Sequence, residues 1–237
     1  MMGLFFRTLI RQLHTSNIII TKATDRDRKE ILRLMQDIFY KTDPSSVYTK
    51  VSEVPKISSQ LQEMTVESLD DNLSFVAKEK GDEKTILGVA INGIRPAVIR
   101  TSGREALLKQ VKSKRERTLL ELWEFVSSMP ADGERYFGDE SVVFEVQYLV
   151  VDPLHRNKGI ATSLVSQSRK EAAARGHRYI RIDCTSHFTA RIASSMGLNC
   201  IYEIDYQDYK NPSGEHVFTN VMFPHTKILV YAGKTAP

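Results

Sequence analysis

The chain has 237 residues, 41% hydrophobic and 26% charged, with a formal net charge of +4. That length fits one large domain or a domain with an insertion, and the composition excludes global disorder. So small a charge excess does not imply nucleic acid, though it suits a protein that binds an anionic small molecule.

Residues 1–16 (MMGLFFRTLIRQLHTS) carry Arg7 and Arg11 and no acidic residue, which reads either as a flexible N-terminus or as a mitochondrial targeting segment. Residues 17–22 (NIIITK) form a β-branched run, the first expected strand, with Asp25 as candidate N-cap of the next helix. Ile31, Leu34, Met35, Ile38 and Phe39 recur at helical spacing; this helix is expected to end near Tyr40, because the residue before Pro44 is pushed out of the helical region. Residues 41–56 read as a loop. Residues 58–71 read as a second amphipathic helix through Leu61, Met64 and Leu69, and residues 73–80 and 85–94 as a strand pair.

From residue 100 to 139 the composition shifts to dense charge, with Leu107, Leu108, Val111, Leu119, Leu122, Trp123 and Val126 at helical intervals. An inserted helical segment is expected, whose basic run KQVKSKRER is either a solvated face or a docking site for an acidic partner. Residues 141–151 (SVVFEVQYLVV) make the strongest strand. Val142, Phe144, Val146, Tyr148 and Val150 alternate with a second, mainly apolar set, Val143, Leu149 and Val151, so the strand should be central and covered on both faces. Residues 157–175 are the strongest helix, with Ile160, Ala161, Leu164, Val165, Ser168 and Ala172 on its stripe and Gly176 as its stop. A strand over 179–184 completes a βαβ unit. A short helix over 187–196 stops at Gly197, and residues 199–209 and 216–232 read as a final hairpin. Residues 17–232 thus read as one domain and 233–237 as a tail.

Cys184 and Cys200 cannot build a disulfide framework and lie in no zinc spacing, so no metal and a reducing, cytoplasmic compartment are expected. No apolar run is long enough to span a membrane, and no strongly apolar surface stripe stands out, so a monomer is expected.

The turn Arg156-Asn157-Lys158-Gly159-Ile160-Ala161 sits between the central strand and the strongest helix. A helix start presents unpaired amides and the positive end of the dipole, which together bind phosphate. Gly159 lets the backbone approach an anion closely, and Arg156 and Lys158 add charge. The GxxxxGK[ST] and GxGxxG patterns are both missing. The residues alone leave open a phosphate site and an ordinary turn in which Gly159 only permits close packing.

Val150-Val151-Asp152-Pro153, followed by that turn, resembles the acetyl-coenzyme A motif of the GNAT superfamily of N-acyltransferases, in the expected context of strand, turn and helix. The resemblance covers roughly residues 18–230. It implies an α/β fold: a mixed, mostly antiparallel twisted sheet with a central splayed strand pair, flanked by helices. It also implies acetyl-CoA as co-substrate. The pyrophosphate would lie on Arg156, Asn157, Lys158, Gly159, Ile160, Ala161 and Thr162, and the pantetheine arm along Leu149, Val150 and Val151, where the strand splays at a bulge, with an amide near Leu149 or Val150 polarising the thioester carbonyl.

A narrower resemblance, in Cys184-Thr185-Ser186-His187-Phe188-Thr189-Ala190-Arg191, Met196-Gly197, Tyr206-Gln207-Asp208-Tyr209-Lys210 and Phe223-Pro224-His225, is to the insect-type arylalkylamine, or dopamine, N-acetyltransferases. It implies that the Thr185 and Thr189 hydroxyls share a helix face near the thioester sulfur. It also implies that Asp43, before Pro44, stands where those enzymes carry a glutamate general base. The residues by themselves also allow Thr185 as a helix cap, Thr189 bonded back to a carbonyl, and Asp43 as a plain turn residue. Ala193 replaces the general-acid tyrosine of many GNAT enzymes, as is common in the insect-type branch. The implied activity is acetyl transfer to a small aromatic amine such as dopamine, tyramine, octopamine or serotonin. Polyamines, amino acids or protein amines are alternative acceptors, and a catalytically silent acyl-CoA sensor is the alternative from another class.

Overall fold

The computed structural model describes residues 17–82, 84–98 and 105–236, so the expectation for residues 1–16 lies outside the described residues. In chain order the main elements are β1 (Ile18–Lys22), α1 (Arg28–Leu34), α2 (Pro44–Tyr48), α3 (Ser59–Glu67), β2 (Phe75–Glu79), β3 (Ile86–Pro96), α4 (Glu105–Gln110), α5 (Lys114–Ser127) and α6 (Glu134–Phe137). They continue with β4 (Val142–Val151), α7 (Ile160–Ala174), β5 (Tyr179–Cys184), α8 (His187–Ser195), β6 (Asn199–Asp205) and β7 (Lys227–Lys234). The strands form one sheet in the order β1-β2-β3-β4-β5-β7-β6. Among the described residues only β4 and β5 pair in parallel.

One face of the sheet packs Val89, Ile91, Tyr148 and Val150 against Ile31 and Leu34 of α1, Leu61 of α3 and Leu119 of α5. The other packs Leu87, Ala90, Phe144, Val146 and Ile182 against Leu164 and Val165 of α7 and Ala190 and Ala193 of α8. A third cluster joins Leu122 and Val126 of α5 to Val143, Tyr206 and Val230.

The central strand departs from simple alternation. Ile91 of β3 pairs with Tyr148, but Asn92 pairs with Val146, so Gln147 is an extra, bulged residue on β4. A single inserted residue exchanges the two faces for everything beyond it. Phe144 and Val146 therefore join the α7 core, while Tyr148 and Val150 join the α1 core. The expected face from Val142 to Val150 breaks at this bulge. Beyond it β4 also loses β5: their pairing covers only Phe144–Val146 against Ile180–Ile182. This is the splayed strand pair.

Several boundaries shift for local reasons. The first helical segment is capped by Thr24 and Asp27, which bond each other's amides, and not by Asp25. Past α1 a π-helical turn (Met35–Phe39) carries the chain through Tyr40–Thr42, two residues beyond Tyr40. Residues 41–56 are not an open loop: Pro44, whose missing NH costs nothing in a first helical turn, opens α2, and Asp43 caps it. Helix α3 stops at Glu67, and α7 starts at Ile160, three residues into the predicted span. The final hairpin is real but short-armed. Strand β7 begins only at Lys227 and inserts between β5 and β6, and between the arms the only bridge among the described residues is Lys210 with His216.

Candidate active site

The opening between β4 and β5 leaves a strand edge unpaired. Asp152 N donates to Leu87 O at 2.8 Å, so antiparallel alternation turns the polar groups of Val150 toward β3 and those of Leu149 and Val151 away from it, where β5 has departed. The Val151 carbonyl accepts from Arg156 Nε at 3.3 Å.

The turn that follows is shaped by Asp152, whose Oδ1 accepts from Leu154 N at 2.8 Å, and by left-handed backbone at Asn157 (φ 63°) and Gly159 (φ 79°). Ser163 N bonds Gly159 O at 3.0 Å, so the amides of Ile160, Ala161 and Thr162 precede the first bonded turn of α7 and point out of the helix start. No acidic side chain occupies that turn.

A cleft of about 1440 Å³ runs from this turn along the open edge of β4. Leu149, Val150, Val151, Arg156, Asn157, Gly159, Ile160, Ala161 and Thr162 line it, but Lys158, expected beside them, does not.

At its other end lies Asp43, only 7% exposed. Thr185 Oγ1, 142 positions away in sequence, donates to Asp43 Oδ1 at 2.6 Å. Oδ2 accepts from the Ser45 hydroxyl and, at 3.2 Å, from Ser46 N. The Trp123 indole NH in turn donates to Ser45 Oγ at 3.0 Å. Burial pushes the Asp43 carboxyl above its ordinary value, against the pull of these donors. A buried carboxylate oriented by hydroxyls and poised upward is the profile of a general base.

Aromatic rings wall the same space: Phe39 stands edge-on to Tyr148 with centroids 5.4 Å apart, and Trp123 lies 5.9 Å from Tyr148. We expect Trp123→Phe, which keeps the ring and removes the donor to Ser45, to lower kcat about three- to tenfold, as loss of one hydrogen bond of about 1 kcal/mol would. With Ser45 less polarised, Asp43 should also titrate higher. A pH–rate profile whose acid limb does not move would show that the indole NH only fills space.

The two threonines meet the cleft differently from the expectation. Helix α8 begins at His187, and Ser186 caps it, Oγ accepting from Phe188 N at 3.2 Å. Thr185 therefore lies before the helix and Thr189 within its first turn, so they do not share a helix face, although both line the cleft. Cys184 is fully buried in the α7–α8 core, and burial drives its thiol well up, which removes it as a nucleophile.

Four charged residues cross the floor where β4 and β5 part. Arg95 Nη1 lies 2.9 Å from Glu145 Oε1 and 3.6 Å from Asp183 Oδ2. Arg181 grips Asp183 through Nε at 2.7 Å and Nη2 at 3.1 Å. The same guanidiniums donate to the last carbonyls of α5: Arg181 to Val126 O at 2.9 Å and Arg95 to Ser127 O. Cations suit the negative end of a helix. The inserted helix is thereby pinned to the sheet, and Trp123, one turn earlier, is set over Ser45. Sequence reasoning missed Ser45, Trp123, Glu145 and Asp183 as site residues; Glu145 inside an apolar strand was the available signal.

The family model described as the acetyltransferase (GNAT) family matches residues 29–193. Among solved structures, arylalkylamine N-acetyltransferase 2 from Aedes aegypti superposes with a TM-score of 0.80 at 24% identity, covering 93% of this chain and 100% of that one. Mosquito arylalkylamine N-acetyltransferase like 5b gives 0.78 at 19%, covering 92% and 99%. The polyamine N-acetyltransferase of Drosophila melanogaster, which catalyses the formation of N-acetylagmatine, gives 0.75 at 18%, covering 92% and 100%. At these identities the structures establish a shared fold. GNAT enzymes use acetyl-CoA, and this chain's open β4 edge and outward-pointing α7 amides fit its amide-bearing arm and its pyrophosphate. With the family match spanning well over half its length and the splayed pair in place, the chain belongs to the GNAT family of acetyltransferases.

Proposed function

We propose that this protein transfers the acetyl group of acetyl-CoA to the primary amine of a small arylalkylamine such as dopamine, tyramine, octopamine or serotonin, by direct attack in a ternary complex. The observation that carries this reading is Asp43, buried and held by Thr185, at the end of an aromatic-walled cleft that reaches the α7 amides.

Bound coenzyme supplies an acetyl thioester. An ammonium has no free lone pair, so Asp43 removes a proton from the amine, directly or through one water. Phe39, Trp123 and Tyr148 pack the substrate ring. The Leu149 amide, turned into the opening, faces the negative charge that develops on the carbonyl oxygen; Val150, turned toward β3, does not. Thr189 stands on α8 to relay to the leaving sulfur the second proton that the nitrogen gives up as the amide forms, while the proton taken by Asp43 passes to water. Holding both reactants supplies most of the acceleration, and no enzyme nucleophile is needed.

A polyamine acceptor is the second reading, favoured by Glu63 and Glu67 of α3, which line the cleft beside Asp70. Thiol release with tyramine, serotonin, agmatine, spermidine and a peptide N-terminus separates the two. We expect the aromatic amines to lead in kcat/KM by at least tenfold. Turnover of agmatine or spermidine alone would reverse the assignment, and coenzyme binding by calorimetry with no turnover of any amine would mark a silent sensor.

A further inference from the structure

We propose that Asp183 reads the acceptor, accepting a hydrogen bond from a ring hydroxyl, so that hydroxylated arylalkylamines are selected over unhydroxylated or O-methylated ones. The inference rests on the arylalkylamine reading and specifies it further.

Along β5 the side chains of Ile180, Ile182 and Cys184 enter the α7–α8 core, so Arg181, Asp183 and Thr185 face the opposite side, where Thr185 meets Asp43. Asp183 and Thr185 both line the cleft. They are two residues apart on one face, about 6.6 Å along the strand. With its nitrogen at Asp43, beside Thr185, and its ring along the aromatic wall, an arylalkylamine carries its ring hydroxyl away from Asp43, and Asp183 is the next carboxylate along that face.

Exposure singles out Asp183 within the charged floor. Its side chain is 19% exposed, against 9% for Glu145, 7% for Arg95 and 1% for Arg181. Arg181 occupies one site on each Asp183 oxygen, and a carboxylate offers about four. Capacity remains toward the cleft.

The floor is also balanced, two carboxylates against two guanidiniums, so it exerts little net pull on a second cation. A neutral donor such as a phenol needs no net charge. It needs an acceptor held in place, and Arg181 and Arg95 hold this one. A site built around such a hydroxyl discriminates against the analogue that lacks it, because the acceptor position that Arg181 leaves open on Asp183 then goes unfilled in a water-poor cleft.

The test compares kcat/KM for tyramine, its O-methyl ether and phenethylamine, on the wild-type protein and on Asp183→Asn. In the wild type we expect tyramine to exceed both analogues by at least tenfold. In Asp183→Asn the ratio should fall to within about threefold, with the KM for acetyl-CoA unchanged. Equal rates for the three amines in the wild type, or a ratio that survives in the variant, would overturn the proposal. If the variant does not fold, Asp183→Glu, which keeps the charge but moves the carboxylate by one methylene, takes its place with the same two outcomes. Failure of every aromatic amine would instead remove the arylalkylamine reading itself.

Discussion

Asp43→Asn is expected to lower kcat for tyramine by about 10²–10³-fold, in the range lost with a positioned general base, while leaving the KM for acetyl-CoA within about twofold. Asparagine keeps an oxygen for one of the donors Thr185 and Ser45, and the other hydroxyl can turn to accept from the new amide. The local fold should survive; the capacity to take a proton does not. The pH dependence follows from the direction of the shift. Burial raises the folded-state pKa of Asp43, so its carboxylate is protonated, and activity lost, at a higher pH than an ordinary aspartate would allow. The wild-type acid limb should therefore lie above that of an ordinary aspartate, and Asp43→Asn should abolish it. An unchanged limb in the variant would assign it to another group.

The second large effect is expected at the turn. Gly159→Asp should raise the KM for acetyl-CoA by about 100-fold, and Gly159→Ala by about tenfold, with much smaller changes in kcat at saturation. At φ 79° a side chain is strained by about 1–2 kcal/mol, even though a Cβ there would meet nothing within 4 Å, and relaxation of that strain turns the amides away from the coenzyme. The aspartate adds a negative charge where the outward-pointing amides would hold an anion. A carboxylate at a helix start favours the helix itself and offsets part of that strain, so Gly159→Asp should lose less thermal stability than coenzyme affinity. If KM stays put in both variants while the melting temperature drops, the turn is structural.

The proposed coenzyme half of the site is readable in the sequence because it is local. One strand, one turn and one helix start carry it, and each has a compositional signature: apolar residues, Asp152-Pro153, and Gly159 before Ile160. Lys158 shows the limit, since charge in a turn does not say which way a side chain points, and it lies outside the cleft. The acceptor half is assembled from distant pieces. Asp43 could be matched to a motif position, but nothing in the sequence indicates that Thr185 bonds it, or that Trp123 reaches it through Ser45. The inserted segment reads as a charged helix with an apolar stripe, and its contact with Ser45 beside Asp43 depends on Arg95 and Arg181 holding its last carbonyls.

The resemblance implies a strand that splays at a bulge, but composition does not place that bulge at Gln147. Val142 to Val150 alternate without interruption in composition, so no periodicity marks the extra residue. Yet that residue sends Tyr148 to the aromatic wall and opens the β4 edge. Proline hides a second feature: Asp43-Pro44 reads as a stop, yet Pro44 also starts a helix whose first-turn geometry buries the Asp43 carboxylate. Without that short helix the same aspartate would be a solvated turn residue with no reason to be raised in pKa.

The most direct test is a single-turnover experiment with enzyme in excess over acetyl-CoA, mixed with tyramine, quenched, and read by mass spectrometry for free coenzyme, N-acetyltyramine and acetylated protein. The predicted result is coenzyme and N-acetyltyramine appearing together, one for one, with the protein mass unchanged throughout. Coenzyme released without the amide, or an acetylated protein that forms first and decays into product, would contradict direct transfer in this cleft.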